Sequence, residues 1–310
     1  MTQPLVSILV PVKNGKRYIA ETVDSILGQD YENFELIIVD DGSTDFDYKS
    51  LESLDPRIKV QRTTGLGVSA ARNLGLAVAQ GDFIAFNDAD DVWFPGKLKA
   101  QIEYLKKHPQ TGVVFGKFIK WHPSAKGSFP EAATLSTDCT GLVDCDPARS
   151  GWIYTRLVMG LLVGMNTAMI RRQIYEQVGG FDESLSKGED YDFWLRCSQI
   201  TEMDCLNGFV ALYRIHDASA MSRLEDSNNL RDLLISARTR WGLTNPDGLS
   251  ISARQFRKRV AKTDFDHAYK HYWLGNPTIS AKSFLKSFIG GHMRFKSFIY
   301  IFLSLAKSKF

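Results

Sequence analysis

The sequence lacks three features that would assign it to a membrane-spanning, a zinc-binding or a disulfide-rich class. No apolar run reaches the length of about 18 residues that a membrane helix needs. None of the 4 cysteines forms a C-x-x-C pair, which argues against a zinc or redox site and favours reduced thiols in a cytoplasmic protein. The first residues, MTQPLVSILVPVKNG, have neither a basic start nor a cleavage pattern, so we expect a strand there and no signal peptide.

The charged residues are distributed unevenly over the 310 residues, although the net charge is only +3. From Arg254 onward there are 12 Lys and Arg against 2 Asp and Glu, so the preceding part holds 26 of the 38 basic and 33 of the 35 acidic residues. An acidic body followed by a basic, aromatic tail predicts that the tail contacts an anionic surface. The length allows one large or two modest domains.

Short apolar runs alternate with amphipathic segments over the first part of the chain. The runs predict strands, and the segments between them predict helices. Such alternation indicates a mostly parallel sheet with helices on both faces, whose ligands bind beyond the carboxyl ends of the strands. Distinctive residues follow three of the predicted strands, at Pro11, at Asp40-Asp41 and at 88–91, and we expect them to meet in one crevice.

Three carboxylates, Asp88, Asp90 and Asp91, follow the short apolar run FIAF at 83–86. Acids crowded at the end of a buried strand repel one another, and a divalent cation would relieve that repulsion. We therefore predict a metal site at this strand end, with Asp91 open to a second explanation as a cap of the next helix.

Five segments, in order along the chain, resemble the family 2 glycosyltransferases of the GT-A fold. They are VSILVPVKNG, FELIIVDDGSTD, GVSAARNLGLAVAQGDFIAFNDADD, GGFDESLSKGEDYDFWLR and YRIHDASAMS, and the resemblance extends from Val6 to about Ser222. It implies an α/β catalytic domain at 1–222, with a nucleotide-binding half at 1–110, an acceptor-binding half at 111–222, and a mostly parallel central sheet flanked by helices. Residues 223–310 are then a helical, basic extension. The resemblance also implies an inverting enzyme that uses a nucleotide sugar and Mn²⁺ or Mg²⁺.

The resemblance assigns residues to the donor site as well. The expected contacts of the nucleotide sugar are Pro11, Val12, Asp40, Asp41, Arg72, Asp88 and Ala89. In the D-x-D element 88–90, Asp90 is the expected metal ligand, and Asp88 lies close to the ribose or the metal. His216 is expected near the metal or the diphosphate, because an imidazole can ligate Mn²⁺ or donate to phosphate, although a lone loop histidine often has no such role. The sequence does not separate Asp40 from Asp41, but Asp41 is the better candidate for orienting the loop.

Glu189 and Asp190 open a predicted helix and are candidates for the catalytic acids. Inversion needs a base that takes the proton of the acceptor hydroxyl as it attacks the anomeric carbon, and a carboxylate within hydrogen-bonding distance can do this. By resemblance Asp190 is the base, and Glu189 supports it or contacts the acceptor. The alternative explanation is that two acids at the start of a helix complement its dipole.

Two other functions remain open at this point. A dinucleotide (NAD)-dependent oxidoreductase is the first, because GLGVSA at 65–70 fits G-x-G-x-x-A and Asp88 follows at a strand end. The preceding strand is polar, however, and three acids suit a cation better than a ribose hydroxyl. The second is a non-catalytic binder of a nucleotide sugar, against which the presence of all the expected acids argues.

The expected substrates are a UDP- or dTDP-sugar and a hydroxyl of a glycan or lipid-linked acceptor, in the synthesis of a cell-surface polysaccharide. Transfer of a single sugar is expected, because Ala237 stands where the Q-x-x-R-W element of processive synthases has glutamine. The tail from Arg254 combines basic and aromatic residues, so it either lies on the inner face of the cell membrane or packs on the catalytic domain. No nucleic-acid-binding motif accompanies it.

Overall fold

The computed structural model describes residues 3–125, 127–217 and 224–307. The chain forms two compact units, one of Met1–Ile153 and Leu162–His216 and the other of Tyr154–Leu161 and Asp217–Phe310. The domain boundary that the sequence predicts, between 222 and 223, lies outside the described residues, as does the end of the YRIHDASAMS segment. All four cysteines are free.

An eight-stranded sheet forms the centre of the first unit, in the order β3-β2-β1-β4-β7-β6-β8-β5. The strands are β1 (Val6–Val12), β2 (Phe34–Asp40), β3 (Ile58–Arg62), β4 (Phe83–Phe86), β5 (Val92–Trp93), β6 (Thr111–Trp121), β7 (Met169–Arg171) and β8 (Glu202–Arg214). The pairings among β1 to β4 and between β6 and β8 are parallel, and β7 and β5 pair antiparallel with their neighbours. The sheet is therefore mixed, and the antiparallel members come from the part of the chain after β4.

Helices connect the strands of the first unit. They are α1 (Ile19–Leu27), α2 (Val68–Val78), α3 (Lys97–Lys107), α4 (Ala132–Leu135), α6 (Arg172–Val178) and α7 (Glu189–Cys197). The helix α5 (Tyr154–Met159) belongs to the second unit. In the described residues of 122–151, the helical elements are α4 and a short 3₁₀ turn at Pro147–Arg149.

The carboxyl ends of the first strands lie side by side because the strands pair in register. Val12 of β1 pairs with Asp40 of β2, and Leu9 pairs with Phe86 of β4. The apolar side chains of these strands are buried, which is why the runs are continuous and do not alternate. At Gly75 of α2, an added Cβ would lie 3.1 Å from Leu9 and 3.3 Å from Val39, so the missing side chain lets the helix approach the sheet.

The second unit is helical. Its helices after α5 are α8 (Asn229–Trp241), α9 (Ala253–Leu274), α10 (Pro277–Gly290) and α11 (Arg294–Lys307). Ser252 and Gln255 form a capping box at the start of α9, and Phe265, Ala268 and Phe284 form a small core. Among residues 3–125, 127–217 and 224–307, no helix is both long and apolar enough to cross a bilayer.

Candidate active site

The loop that follows β4 is held by side chains from distant parts of the chain. The Thr22 hydroxyl donates to the carbonyls of Ala89 and Asp91, both at 2.9 Å. The Asp91 carboxylate is fully buried and accepts from the Asn166 side chain and the Arg214 backbone N–H, both at 2.8 Å. Burial, together with the charges of Asp90 and Asp88, raises the pKa of Asp91 well above its ordinary value. Asp91 therefore points inward and shapes the loop, in place of the helix cap that the sequence allowed.

Asp90 faces His216, with its carboxylate oxygen 2.7 Å from the imidazole Nε2. Burial and the neighbouring Asp88 raise the pKa of Asp90, and the contact with His216 opposes that change. Within the described part of the chain, no three His, Cys, Asp or Glu side chains are grouped closely enough to enclose a metal ion by themselves. The pair thus offers an incomplete ligand set, which phosphate oxygens and water can complete for a hard divalent cation.

Arg72 of α2 joins the loop after β4 to the start of α7. Its guanidinium is almost fully buried and donates to Glu189 at 2.8 Å and to Asp88 at 2.9 Å. Burial alone would lower the pKa of Arg72, but the charges of Asp88, Glu189 and Asp190 raise it, so the side chain stays cationic. The Arg72 guanidinium therefore brings together Asp88 and Glu189, which lie more than a hundred residues apart in the sequence.

Asp190 lies in the first turn of α7, next to the Arg72–Glu189 ion pair. The helix begins after Gly188, whose φ of 87° is in the left-handed region that favours glycine. Asp190 is half-buried, and its carboxylate accepts from the Tyr191 N–H at 2.7 Å. Desolvation by the surrounding protein and the charge of Glu189 raise the pKa of Asp190 to about 6, against the effect of Arg72. A carboxylate of this pKa is a stronger base than an ordinary aspartate.

Asp40 and Asp41, which the sequence could not separate, have different partners. Asp40 accepts from the Ser43 N–H at 2.8 Å and pairs with Arg62 at 3.0 Å. Asp41 accepts from the N–H groups of Leu66 and Gly67 at 2.8 and 3.0 Å, so it fixes the loop that leads into α2.

The end of β1 is joined to the same loop. The Asp41 N–H donates to the Val12 carbonyl at 2.8 Å, and Pro11 is the preceding, half-buried residue of β1. Lys13 lies 3.6 Å from the Asp41 carboxylate and is more than half exposed. The structure therefore brings Pro11, Val12 and both aspartates to one edge of the sheet, as their strand-end positions predict.

Arg214 is a residue of this site that the sequence analysis did not single out. Its Nε donates to the Asp90 carbonyl at 2.7 Å, and its guanidinium also pairs with Glu21. The guanidinium lies over the ring of Trp121 at 3.9 Å, with two further aromatic rings within 5 Å. The sequence did contain a sign of this role, because an arginine inside the apolar segment LYRI needs polar partners when it is buried. In contrast, Trp194 of α7 is buried in the core.

Comparisons with known proteins point to one family. Residues 7–129 match the sequence model of the family described as "Glycosyl transferase family 2". An uncharacterised glycosyltransferase of Haemophilus influenzae is 30% identical over 242 residues, which are 73% of this chain and 70% of the relative. The Escherichia coli UDP-Glc:alpha-D-GlcNAc-diphosphoundecaprenol beta-1,3-glucosyltransferase WfgD is 30% identical over 227 residues, 72% of this chain and 81% of WfgD.

The same fold occurs in a solved structure. The crystal structure of TarS from S. aureus superposes with a TM-score of 0.63 at 19% identity, covering 93% of this chain and 49% of that one, so this chain spans about half of it. Fold and site together define a glycosyltransferase of the GT-A type. The chain belongs to glycosyl transferase family 2, and the dinucleotide-dependent oxidoreductase and the non-catalytic binder are set aside.

Proposed function

We propose that the enzyme transfers a single sugar, with inversion, from a UDP- or dTDP-sugar to a hydroxyl of a glycan or lipid-linked acceptor, in the synthesis of a cell-surface polysaccharide. The observation that carries the proposal is the Arg72 bridge, which sets the acids after β4 beside the acids that begin α7. Two comparisons support the substrate classes. The name of WfgD specifies a UDP-glucose donor and a lipid-linked acceptor, and TarS has been solved in complex with UDP-GlcNAc.

On the donor side, Asp90 and His216 would hold Mn²⁺ or Mg²⁺, with Asp88 close to it. The residues fit such an ion, because they supply hard oxygen and imidazole ligands and leave positions for phosphate and water. When bound, the ion supplies positive charge against the departing diphosphate. Thr22 and Arg214 fix the backbone of the loop, so the Asp90 carboxylate does not have to be ordered when the donor binds.

On the acceptor side, Asp190 takes the proton of the attacking hydroxyl. Arg72 holds Glu189 by an ion pair at 2.8 Å, and the charge of Glu189 in turn helps to raise the pKa of Asp190. The pKa of the base therefore depends on Glu189, whose position is fixed by Arg72. Because the hydroxyl attacks from the side opposite to the leaving diphosphate, one base is sufficient and the configuration at the anomeric carbon inverts.

The pH dependence of transfer tests this role of Asp190. The reactive form is the carboxylate, and its pKa of about 6 lies above the ordinary value, so the base is lost by protonation as the pH falls through 6. We expect kcat/KM to fall about tenfold per pH unit below pH 6 and to level off above about pH 7. Initial rates between pH 4.5 and 8.5, with circular dichroism to confirm folding at each pH, measure the acidic limb. A limb centred near pH 4 would contradict the assignment.

A donor screen tests the proposed reaction as a whole. We expect UDP- or dTDP-sugars with Mn²⁺ to raise the melting temperature more than GDP-sugars do, and transfer to a polyprenyl-diphosphate-linked sugar to stop when EDTA removes the metal. NMR of the product then shows whether the anomeric configuration has inverted. Full transfer in EDTA would refute the metal dependence, and retention of configuration would refute the single-base mechanism.

Attachment to a membrane belongs to the same proposal, because a lipid-linked acceptor is presented at a membrane surface. The basic C-terminal region is the part of the chain expected to make this contact at the inner face of the cell membrane. Its charge supports the idea, since anionic headgroups attract Lys and Arg near a bilayer.

A further inference from the structure

The helix α11 packs against its own unit through small polar side chains. Ser297 and Ser304 are fully buried. The Ser304 hydroxyl lies 2.9 Å from that of Ser280 on α10, and the Ser297 hydroxyl donates to the His292 carbonyl at 3.2 Å. Tyr300 completes this inner side by stacking on Phe284 at 5.1 Å. Serine is an unusual choice for the buried side of a surface helix, which normally carries large apolar residues.

The opposite side of α11 is large, apolar and exposed. Phe295 is 81% exposed, Phe298 49% and Phe302 58%. Spacings of three and four residues place these rings on one side of the helix, and they are joined there by Ile299 and Leu305. The amphipathic pattern is thus reversed relative to a helix that folds onto a core. These exposed apolar residues of α11 do not contribute to the interior of this unit.

The apolar surface continues from α11 onto α10. The rings of Phe298 and Phe302 lie 4.9 Å apart, and Phe298 lies 6.2 Å from Phe288 of α10. On α10, Leu285 and Ile289 are 48% and 68% exposed. A contiguous apolar surface of this kind marks an interaction site more often than a scatter of single residues does. We call the exposed residues Leu285, Ile289, Phe295, Phe298 and Phe302 the outer face.

Positive charge borders the outer face. Arg294 precedes Phe295 at the start of α11, and its guanidinium lies 6.0 Å from the centre of the Phe288 ring. On α10, Lys282 and Lys286 are exposed beside Leu285. Acids are rare in this part of the chain, since only Asp264 and Asp266 occur from Arg254 onward. An apolar strip with a cationic border matches the boundary between the acyl chains and the headgroups of an anionic bilayer.

We propose that the outer face is the membrane-docking surface of the enzyme and inserts into the headgroup region of an anionic leaflet. The helix lies flat in the interface, because 14 residues extend only about 21 Å, less than the hydrocarbon core of about 30 Å. The serine side remains on the protein, while the three phenylalanines of α11 enter the lipid. This deepens the proposed attachment to a membrane, although the docking itself requires neither donor nor acceptor.

Vesicle binding of the full chain, without any substrate, tests the docking surface. We expect sedimentation with phosphatidylglycerol-containing vesicles, weak binding to pure phosphatidylcholine, and a loss of binding in high salt. The double variant F295S/F302S lowers the vesicle partition coefficient about tenfold or more, since two inserted rings are removed. The matched control L249S also removes an exposed apolar residue of the same unit, and it leaves binding unchanged.

Several results would overturn this proposal. Equal binding of F295S/F302S and the unaltered chain would show that the outer face is not inserted. Absence of binding to every vesicle, together with a dimer in analytical ultracentrifugation that F295S/F302S dissociates, would assign the surface to a second copy of the chain. Circular dichroism and thermal melting establish that both variants are folded. Because the assay contains no nucleotide sugar, a failure of the proposed reaction leaves its outcome unaffected.

Discussion

Replacing Asp190 with asparagine is expected to lower kcat by about 100- to 10,000-fold, the range that general base catalysis contributes. Asparagine has the same size and can still accept from the Tyr191 N–H, so α7 keeps its first turn. It cannot accept the proton of the acceptor hydroxyl at neutral pH. Because the proposed donor contacts do not include Asp190, we expect the dissociation constant of the donor to be similar for the variant and the unaltered enzyme.

Initial rates, together with calorimetry of donor binding, separate these two effects. Asp192→Asn is the matched control, since Asp192 lies on the same helix and pairs with Arg196 at 2.8 Å, away from the Arg72 bridge. We expect this control to transfer sugar at close to the original rate. If Asp190→Asn turned over as fast as the control, another group would have to be the base.

Arg72→Met is expected to destabilise the fold by about 3–5 kcal/mol, because it removes one partner of a buried ion-pair network. Methionine fills much of the space, but Asp88 and Glu189 then face each other without the cation between them. Loss of the same charge also raises the pKa of Asp190 further, since the Arg72 charge and the Tyr191 N–H are the two groups that lower it. The acidic limb of any residual activity should therefore move to higher pH.

Urea unfolding measures the loss of stability, and a second substitution tests its cause. In Arg72→Met/Glu189→Gln, one of the repelling charges is neutral, so we expect part of the stability to return. Lys262→Met is the control for a surface pair, because Lys262 and Asp266 are both about half exposed, and it should cost less than about 1 kcal/mol. No recovery in the double variant would mean that packing, not charge, explains the effect of Arg72.

The sequence predicts the first strands well, since β1, β2 and β4 are buried on both faces and appear as continuous apolar runs. The sequence also predicts that Asp40 and Asp88 lie at the same edge of the sheet, because each follows or ends a strand. The Arg72–Glu189 contact could not be predicted in this way. It joins residues 117 positions apart, and only the packing of α2 and α7 decides which acid the guanidinium meets.

The orientation of α11 could not be predicted from the sequence either. Its composition indicates an amphipathic basic helix, and the usual rule would bury the phenylalanines and expose the serines. The structure shows the reverse, because Ser304 and Ser297 find hydroxyl and carbonyl partners on or near α10 and so can be buried without losing hydrogen bonds. The mostly parallel sheet that the sequence predicts is confirmed, with β7 and β5 as its antiparallel members.

The three aromatic rings around Arg214, those of Tyr18, Trp121 and Phe129, have a consequence for engineering this enzyme. The planar guanidinium of Arg214 packs on an aromatic ring and donates to the Asp90 carbonyl. Lysine has neither a planar cationic group nor several N–H donors in fixed directions. Mutant libraries are therefore best directed away from position 214 and from Phe129, whose ring lies 4.7 Å from the Arg214 guanidinium. Randomising position 214 would sacrifice turnover long before it changed substrate preference.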